Sequence, residues 1–479
     1  MQRLLYVGAL AAALLVIGPS VAAAAEHESG EKLGLKLPFI TMLPFAAMLA
    51  SIAVLPLAAE HWWEHNKNKG IIVAALSIPL AAYLVGSFGD QAIHELAHKM
   101  MEYVSFIVLL ASLFIISGGI CVRGSLSGTP LVNTGVLALG AVLASIIGTT
   151  GASVLLIRPL LRANRLRKNK THVVIFFIFI VSNCGGLLTP LGDPPLFLGF
   201  LKGVPFTWTL MLWPAWLVIN GALLVIFNVW DQVAIRREEQ QCHEPLLEEV
   251  THHRRLHVAG MHNFVFLLGI VATIMASGAG MGFGGNAWPY GIQEGLMVAL
   301  AAAAYFTTSD ELRKENHFSA GPIIEVAVLF VGIFVTMTPA LALLDVHGPA
   351  LAKMGMQEPS HFFWASGILS SFLDNAPTYL TFAVTACAVH GVPTEGVDRY
   401  LADFLALPPE HHAAELLAAV SCGAVFMGAN TYIGNGPNFM VKAIAEHGQV
   451  KMPSFFGYML YSGCILIPLF IVATFLFFQ

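Results

Sequence analysis

Apolar residues along this chain come in runs of about 20, the length a helix needs to cross the hydrocarbon of a bilayer, with short polar stretches between them. The runs at 37–60, 70–88, 101–122, 172–202, 208–230, 259–279, 290–307, 320–345, 413–445 and 454–478 predict about 10 transmembrane helices. Two further runs, 130–163 and 361–390, are apolar on both sides of a polar tip. The tips are Gly148-Thr-Thr-Gly-Ala-Ser153 and Asp374-Asn-Ala-Pro-Thr378, and each run is expected to be a re-entrant hairpin.

Two of the spans carry versions of one motif, Thr189-Pro-Leu-Gly-Asp-Pro-Pro-Leu-Phe197 and Thr431-Tyr-Ile-Gly-Asn-Gly-Pro-Asn-Phe439. Thr189/Thr431, Gly192/Gly434, Pro195/Pro437 and Phe197/Phe439 are identical. Proline, glycine and polar side chains cannot continue as regular helix in hydrocarbon, so the backbone must open there, and opened backbone survives at membrane depth only around a protein-lined cavity. Paired breaks in corresponding halves are the sequence signature of a secondary transporter.

Basic residues test the arrangement. With an exported N-terminus, Lys67, Lys69, Arg123, the cluster Arg158 to Lys170, Arg236-Arg237, Arg254-Arg255, Arg313-Lys314 and Lys451 fall on the cytoplasmic side, as the positive-inside rule requires. They do so only if 130–163 enters and leaves from the cytoplasm. The second hairpin then enters from outside and the two broken spans cross in opposite directions, which makes the halves inverted repeats. The expected organisation is a signal peptide at 1–25, N-terminal scaffold spans at 26–100, a first inverted repeat at 101–232, a cytoplasmic loop and linking spans at 233–319, and a second inverted repeat at 320–479.

Composition agrees with the pattern. The 479 residues are 57% hydrophobic and 11% charged, with a mean hydropathy of +0.73, outside the range of soluble globular chains. The fold class is therefore an all-α membrane protein. A net charge of −5 without an extended basic tract gives no sign of nucleic-acid binding. The first 25 residues, with Arg3 before an Ala/Leu/Val run and Val21-Ala-Ala-Ala-Ala25 at its end, read as a cleavable leader; an uncleaved first span is the alternative. Six cysteines without a C-x-x-C pair are expected to pack as small apolar residues.

Ionisable groups inside a membrane are costly and so are functional candidates. Asp193 in the first break and Asp374 at the second hairpin tip should meet near the midplane. Around them belong Thr149, Thr150, Ser153, Ser182, Asn183, Thr189, Asn375, Thr378, Asn430, Thr431 and Asn435. This is an oxygen-rich set without cationic side chains, suited to a hard cation such as sodium rather than an anion. A desolvated carboxylate can also take a proton when the cation leaves, and competition for one site gives exchange. Either aspartate could instead cap a broken helix end. Glu102 and Glu325 lie near span ends, where an interfacial or structural role is as plausible.

Two histidine motifs point elsewhere. His94-Glu95-Leu-Ala-His98 matches the zinc-protease pattern H-E-x-x-H, and His61-Trp-Trp-Glu-His65 its inverted form. They fall at opposite ends of 70–88 and have no evident third ligand, so a metal site is a remote expectation. His252, His253 and His257 read as a solvated loop.

The string Ser182-Asn-Cys-Gly-Gly-Leu-Leu-Thr-Pro-Leu-Gly-Asp-Pro-Pro195 resembles the S-N-x-G-G-x-x-T-P-x-G-D-P-P signature of NhaD-type sodium/proton antiporters. These belong to the ion transporter superfamily, with citrate, dicarboxylate and arsenite carriers. Gly148 to Pro159, Leu373 to Thr378 and Gly428 to Asn438 look like the hairpin and second-break motifs of the same group, and the matches extend over 101–478. The resemblance implies a scaffold and a transport domain in each protomer, commonly a homodimer, with hairpins and broken helices moving as an elevator. The chain departs from the dicarboxylate branch, whose hairpin tips carry S-N-T, where these read Gly-Thr-Thr and Asp-Asn-Ala.

The expected function is a sodium (or lithium)/proton antiporter of a bacterial-type inner membrane. Its partners are a small inorganic cation, a proton and the lipid bilayer, and no enzyme activity, nucleic-acid partner or resident cofactor is expected. In this scheme Asp193 and Asp374 alternately hold cation and proton, with Thr150, Asn375, Asn430 and Asn435 completing the oxygen shell. The alternative is a cation-coupled citrate or dicarboxylate carrier; more distant is an intramembrane metalloprotease through His94, Glu95 and His98.

Overall fold

The computed structural model describes residues 33–63, 65–125, 127–242, 254–278, 281, 288–316, 318–353, 356–394, 397 and 399–479. The expected leader, with His252 and His253, lies outside them. Among the described residues eight helices are long and apolar enough to cross a membrane. Two shorter apolar helices, Asn263–Gly278 and Ile292–Thr307, stand where further spans were expected. Large apolar side chains such as Val225, Phe456 and Leu460 are mostly exposed, as lipid contact requires. The protein is a multi-pass, predominantly helical membrane protein.

Two details differ from the sequence pattern. The segment Asn66–Ser117 holds the spans expected at 70–88 and 101–122 as two helices that meet at a kink, and the second begins before its apolar run because residues 90–100 are helical too. Its 52 residues would extend about 78 Å, more than twice the roughly 30 Å hydrocarbon core. A single crossing is excluded, and the helix breaks at Gly89 (φ 56°, ψ −129°). The second difference is a two-stranded antiparallel ribbon in an otherwise helical chain, Cys121–Ser125 against Arg254–Ala259, with Cys121 opposite Ala259. Its strands are too short for their alternation to stand out beside the adjoining spans.

The centre is built from helices that are apolar all round, which can only be satisfied by burial. In Thr171–Ile180 every residue from Val173 to Ile180 is buried, and the helix packs against Pro130–Ile147, Trp213–Cys242 and Gly436–His447. Ala413–Met427 is similarly enclosed by both arms of the second hairpin. To one side, Asn66–Ser117 packs along Gly321–Lys353, with Phe106 stacked on Phe330 at 4.8 Å between ring centroids. Cys121, Cys184, Cys387 and Cys422 are buried and Cys464 is exposed.

Both expected hairpins have a helix–break–helix form with packed arms. The first runs Pro130–Ile147 and Thr149–Ala163 around Gly148, whose φ of 81° suits glycine. The second runs Pro359–Phe372 and Asn375–Val389 around extended Leu373 and Asp374.

Candidate functional site

The two broken spans open in the same way. After Thr171–Ile180 comes a 3₁₀ turn at Cys184–Leu188, then extended Thr189 (φ −140°, ψ 159°) and Asp193 (φ −143°, ψ 144°), before helix Pro194–Leu201. After Ala413–Met427 comes a 3₁₀ turn at Gly428–Asn430, then extended Thr431 (φ −137°, ψ 167°) and Asn435 (φ −154°, ψ 141°), before Gly436–His447. Each threonine ties its break to the neighbouring hairpin: Thr189 Oγ1 donates to Ser145 O and accepts from Leu191 N, and Thr431 Oγ1 donates to Ser371 O and accepts from Ile433 N. A Cβ on Gly192 would collide with Gly186 O, and one on Gly434 with Gly428 O, so these loops close only on glycine.

Asp193 is held where the pieces converge. It precedes Pro194 and Pro195, neither of which has an N–H, so the usual capping donor at the second helical position is missing and its side chain makes no cap bond. The carboxylate is thereby left for other donors. Its Oδ1 accepts from Thr149 Oγ1 of the first hairpin tip at 2.8 Å and from Asn435 Nδ2 of the second break at 3.1 Å. Its Oδ2 accepts from Asn375 Nδ2 of the second hairpin tip. Both hairpins and both breaks thus meet on one carboxylate, which is 1% exposed and, among the described residues, has no lysine or arginine paired with it.

Asp374 is built differently. The second residue of its helix is Ala376, which does have an N–H, and Asp374 Oδ1 accepts it at 3.2 Å. That is the capping arrangement its sequence position also allowed. Its neighbour Asn375 carries the contact to Asp193.

The remaining candidates fall into two groups. Asn183 accepts from Asn435 at 3.2 Å, Ser182 O accepts from the same amide at 3.2 Å, and Ser153 and Ser182 share a hydrogen bond of 2.8 Å. Thr150 lines a cavity of about 80 Å³ with Thr149, Gly192, Asp193 and apolar residues including Leu113 and Phe114. Thr189, Thr431 and Thr378 instead commit their hydroxyls to backbone carbonyls; Thr378 bonds to Asp374 O at 3.0 Å. Asn430 Nδ2 donates to Ser371 Oγ at 2.9 Å. The carbonyl oxygens Asn375 Oδ1 and Asn430 Oδ1 are buried acceptors with no hydrogen-bond donor, as oxygens that coordinate a cation would be.

Glu102 and Glu325, the other two carboxylates singled out in the sequence, are paired with cationic side chains. Glu102 receives His98 Nδ1 at 2.9 Å, Lys99 Nζ at 3.1 Å and Lys202 Nζ, and Glu325 pairs with Lys69 at 2.6 Å. His98 of the H-E-x-x-H motif therefore faces a carboxylate, and among the described residues no group of three His, Cys, Asp or Glu side chains is placed to hold a metal ion. Sequence reasoning passed over Asp231, fully buried and bonded to Arg167 at 2.6 Å, His172 at 2.8 Å and Asn133 at 3.0 Å. It stands just beyond the apolar run at 208–230, where a charge looks like an ordinary span end. Ser145 and Ser371 were also missed, since polar residues within apolar helices carry no motif, and so was Asn438, which lies inside the repeated motif but aligns with the apolar Leu196 of the other copy.

A protein-family model described as "Putative citrate transport" matches residues 34–478. No curated protein matches the chain.

Proposed function

Since the chain belongs to this putative citrate transport family, we propose that it is a secondary transporter whose Asp193 exchanges a sodium or lithium ion for a proton. The observation that carries this reading is the chemistry around Asp193: one buried carboxylate, three neutral donors and, on Asn375, a buried carbonyl oxygen without a donor, with no lysine or arginine paired to the carboxylate among the described residues. A cation can replace the hydrogen-bonded shell by recruiting carbonyl oxygens, and a proton can replace the cation on the same carboxylate. The cavity beside Asp193, about 80 Å³, also favours an inorganic ion, since pockets for organic ligands run to roughly 300–1,000 Å³. Asp374 in this scheme caps the second hairpin helix and places Asn375 on Asp193.

The matching dihedrals of the two breaks and the matching threonine ties support inverted repeats. The hairpins and breaks form the moving part of an elevator, Asn66–Ser117 and Gly321–Lys353 belong to the scaffold, and the protein works as a homodimer in a bacterial-type inner membrane. A cation-coupled citrate or dicarboxylate carrier is the second reading, favoured by the family's description and by a separate cavity of about 700 Å³ with Lys202 and Arg399 on its wall. Proton flux in proteoliposomes separates them. Flux driven by sodium or lithium alone supports the antiporter, and flux that needs citrate or succinate supports the carboxylate carrier.

A further inference from the structure

We infer that Glu294 forms a second cation site, on the wall of the cavity of about 700 Å³, where a hydrated sodium or lithium ion is held on its way to Asp193. The inference rests on the cation-exchange reading of Asp193. Glu294 lies in the first turn of helix Ile292–Thr307 and is 4% exposed. Its Oε2 accepts from Gly291 N at 3.0 Å and its Oε1 accepts from Ser105 Oγ at 2.6 Å. Both donors are neutral. Glu102, Glu325 and Asp231 each meet a lysine or arginine, whereas Glu294 has no cationic partner among the described residues. A buried carboxylate is ordinarily paired or coordinates a metal ion. Beside it Gln293, 7% exposed, lines the same cavity, and its side-chain amide has no hydrogen-bond partner among the described residues. Together they offer a carboxylate and an amide oxygen, which suit a hard cation.

The helix cap does not require this charge. A capping box takes glutamine as well as glutamate, so a neutral side chain would serve the first turn equally. The place of the cavity gives the charge a use. Ser105 and Phe200 line it, while Leu109 and Phe197, about one turn away on the same two helices, line the small cavity beside Asp193. Phe197 stacks on Phe200 with ring centroids 6.1 Å apart. On the rim, Thr207, Met275 and Arg399 are exposed, so the cavity runs from the surface to the approach to Asp193. Lys202 and His98 on its wall are bonded to Glu102, and Arg399 stands at the exposed rim, where water and salt screen it. The volume leaves an ion much of its hydration shell, since each water occupies about 30 Å³.

The test is the number of sodium-22 ions bound per protomer by purified protein in detergent, read beside thermal unfolding without sodium. Wild type should bind two ions, Asp193→Asn one, Glu294→Gln one and the double variant none. Glu294→Gln keeps the cap, so it should unfold at the wild-type temperature; a purely structural Glu294 would leave the ion count at two. Gln293→Leu leaves Glu294 and its cap in place and should bind the second ion about tenfold or more weakly, as expected for loss of a contact to a charge. Two ions in Glu294→Gln, or a single ion in wild type that Asp193→Asn removes, would overturn the inference. If Glu294→Gln does not fold, unchanged sodium binding in Gln293→Leu would overturn it. Labelled citrate that binds wild type and is lost in Lys202→Met would assign the cavity to a carboxylate and overturn it as well. If Asp193→Asn binds as many ions as wild type while Glu294→Gln binds fewer, the Asp193 reading fails and the Glu294 site stands.

Discussion

The amide nitrogen of Asn435 lies 3.1 Å from Oδ1 of Asp193, so the two positions that the repeated motif aligns, 242 residues apart, touch at the centre of the protein. The contact pairs unlike partners, a carboxylate from one break and a neutral amide from the other. The site therefore has local symmetry of backbone and asymmetry of charge.

Asn375 donates to Asp193 and also carries a buried oxygen with no donor. Asn375→Ala removes both, and a hydrogen bond to a charged group is worth about 1.5–3 kcal/mol. The KM for sodium in proteoliposome exchange should rise about tenfold or more, with the protein still folded. An unchanged KM would remove Asn375 from the cation shell.

Thr149 tests the other hairpin. Thr149→Ser keeps the donor to Asp193 Oδ1 and should retain exchange, whereas Thr149→Val keeps the shape, loses the 2.8 Å bond and should weaken sodium affinity by a comparable factor. Equal behaviour of the two variants would mean that Thr149 matters only for packing at the tip.

Glu102 is shared by Lys99, Lys202 and His98. Glu102→Gln leaves two buried lysines without the carboxylate they share, and breaking a buried pair from one side costs about 3–5 kcal/mol. Lys202→Met leaves Glu102 with Lys99 and His98. Thermal unfolding in detergent should therefore show a larger loss for Glu102→Gln than for Lys202→Met, and the reverse order would contradict this description of the cluster.

Gly192 and Gly434 close on Gly186 O and Gly428 O. Because the obstruction is backbone, Gly192→Ala and Gly434→Ala should each reduce exchange by an order of magnitude or more in folded protein, through displacement of Asp193 or Asn435. Normal exchange in both would show that the breaks tolerate a wider loop.

Much of this arrangement was legible in the sequence because its signals are strong ones. Proline and glycine in hydrocarbon mark the breaks, and polar tips inside apolar runs mark the hairpins, so the elements that hold Asp193 could be named with their ranges. What could not be read were relationships set by three-dimensional direction. Pro195 and Ala376 occupy equivalent positions after their aspartates, and only the missing N–H at Pro195 separates a carboxylate offered to the site from one that caps a helix. Asn438 and Ser371 find partners on other elements, which no local pattern announces, and Asp231 hides at the end of a span. The short ribbon was missed for another reason, since strands of a few residues leave no distinct period, whereas the break at Gly89 falls where the span 70–88 was expected to end.

The most direct test is sodium- or lithium-driven proton flux in proteoliposomes, comparing wild type with Asp193→Asn and Asp374→Asn. Asp193→Asn should abolish exchange, whereas Asp374→Asn, which retains a capping oxygen, should leave measurable exchange. Undiminished exchange in Asp193→Asn would contradict the account.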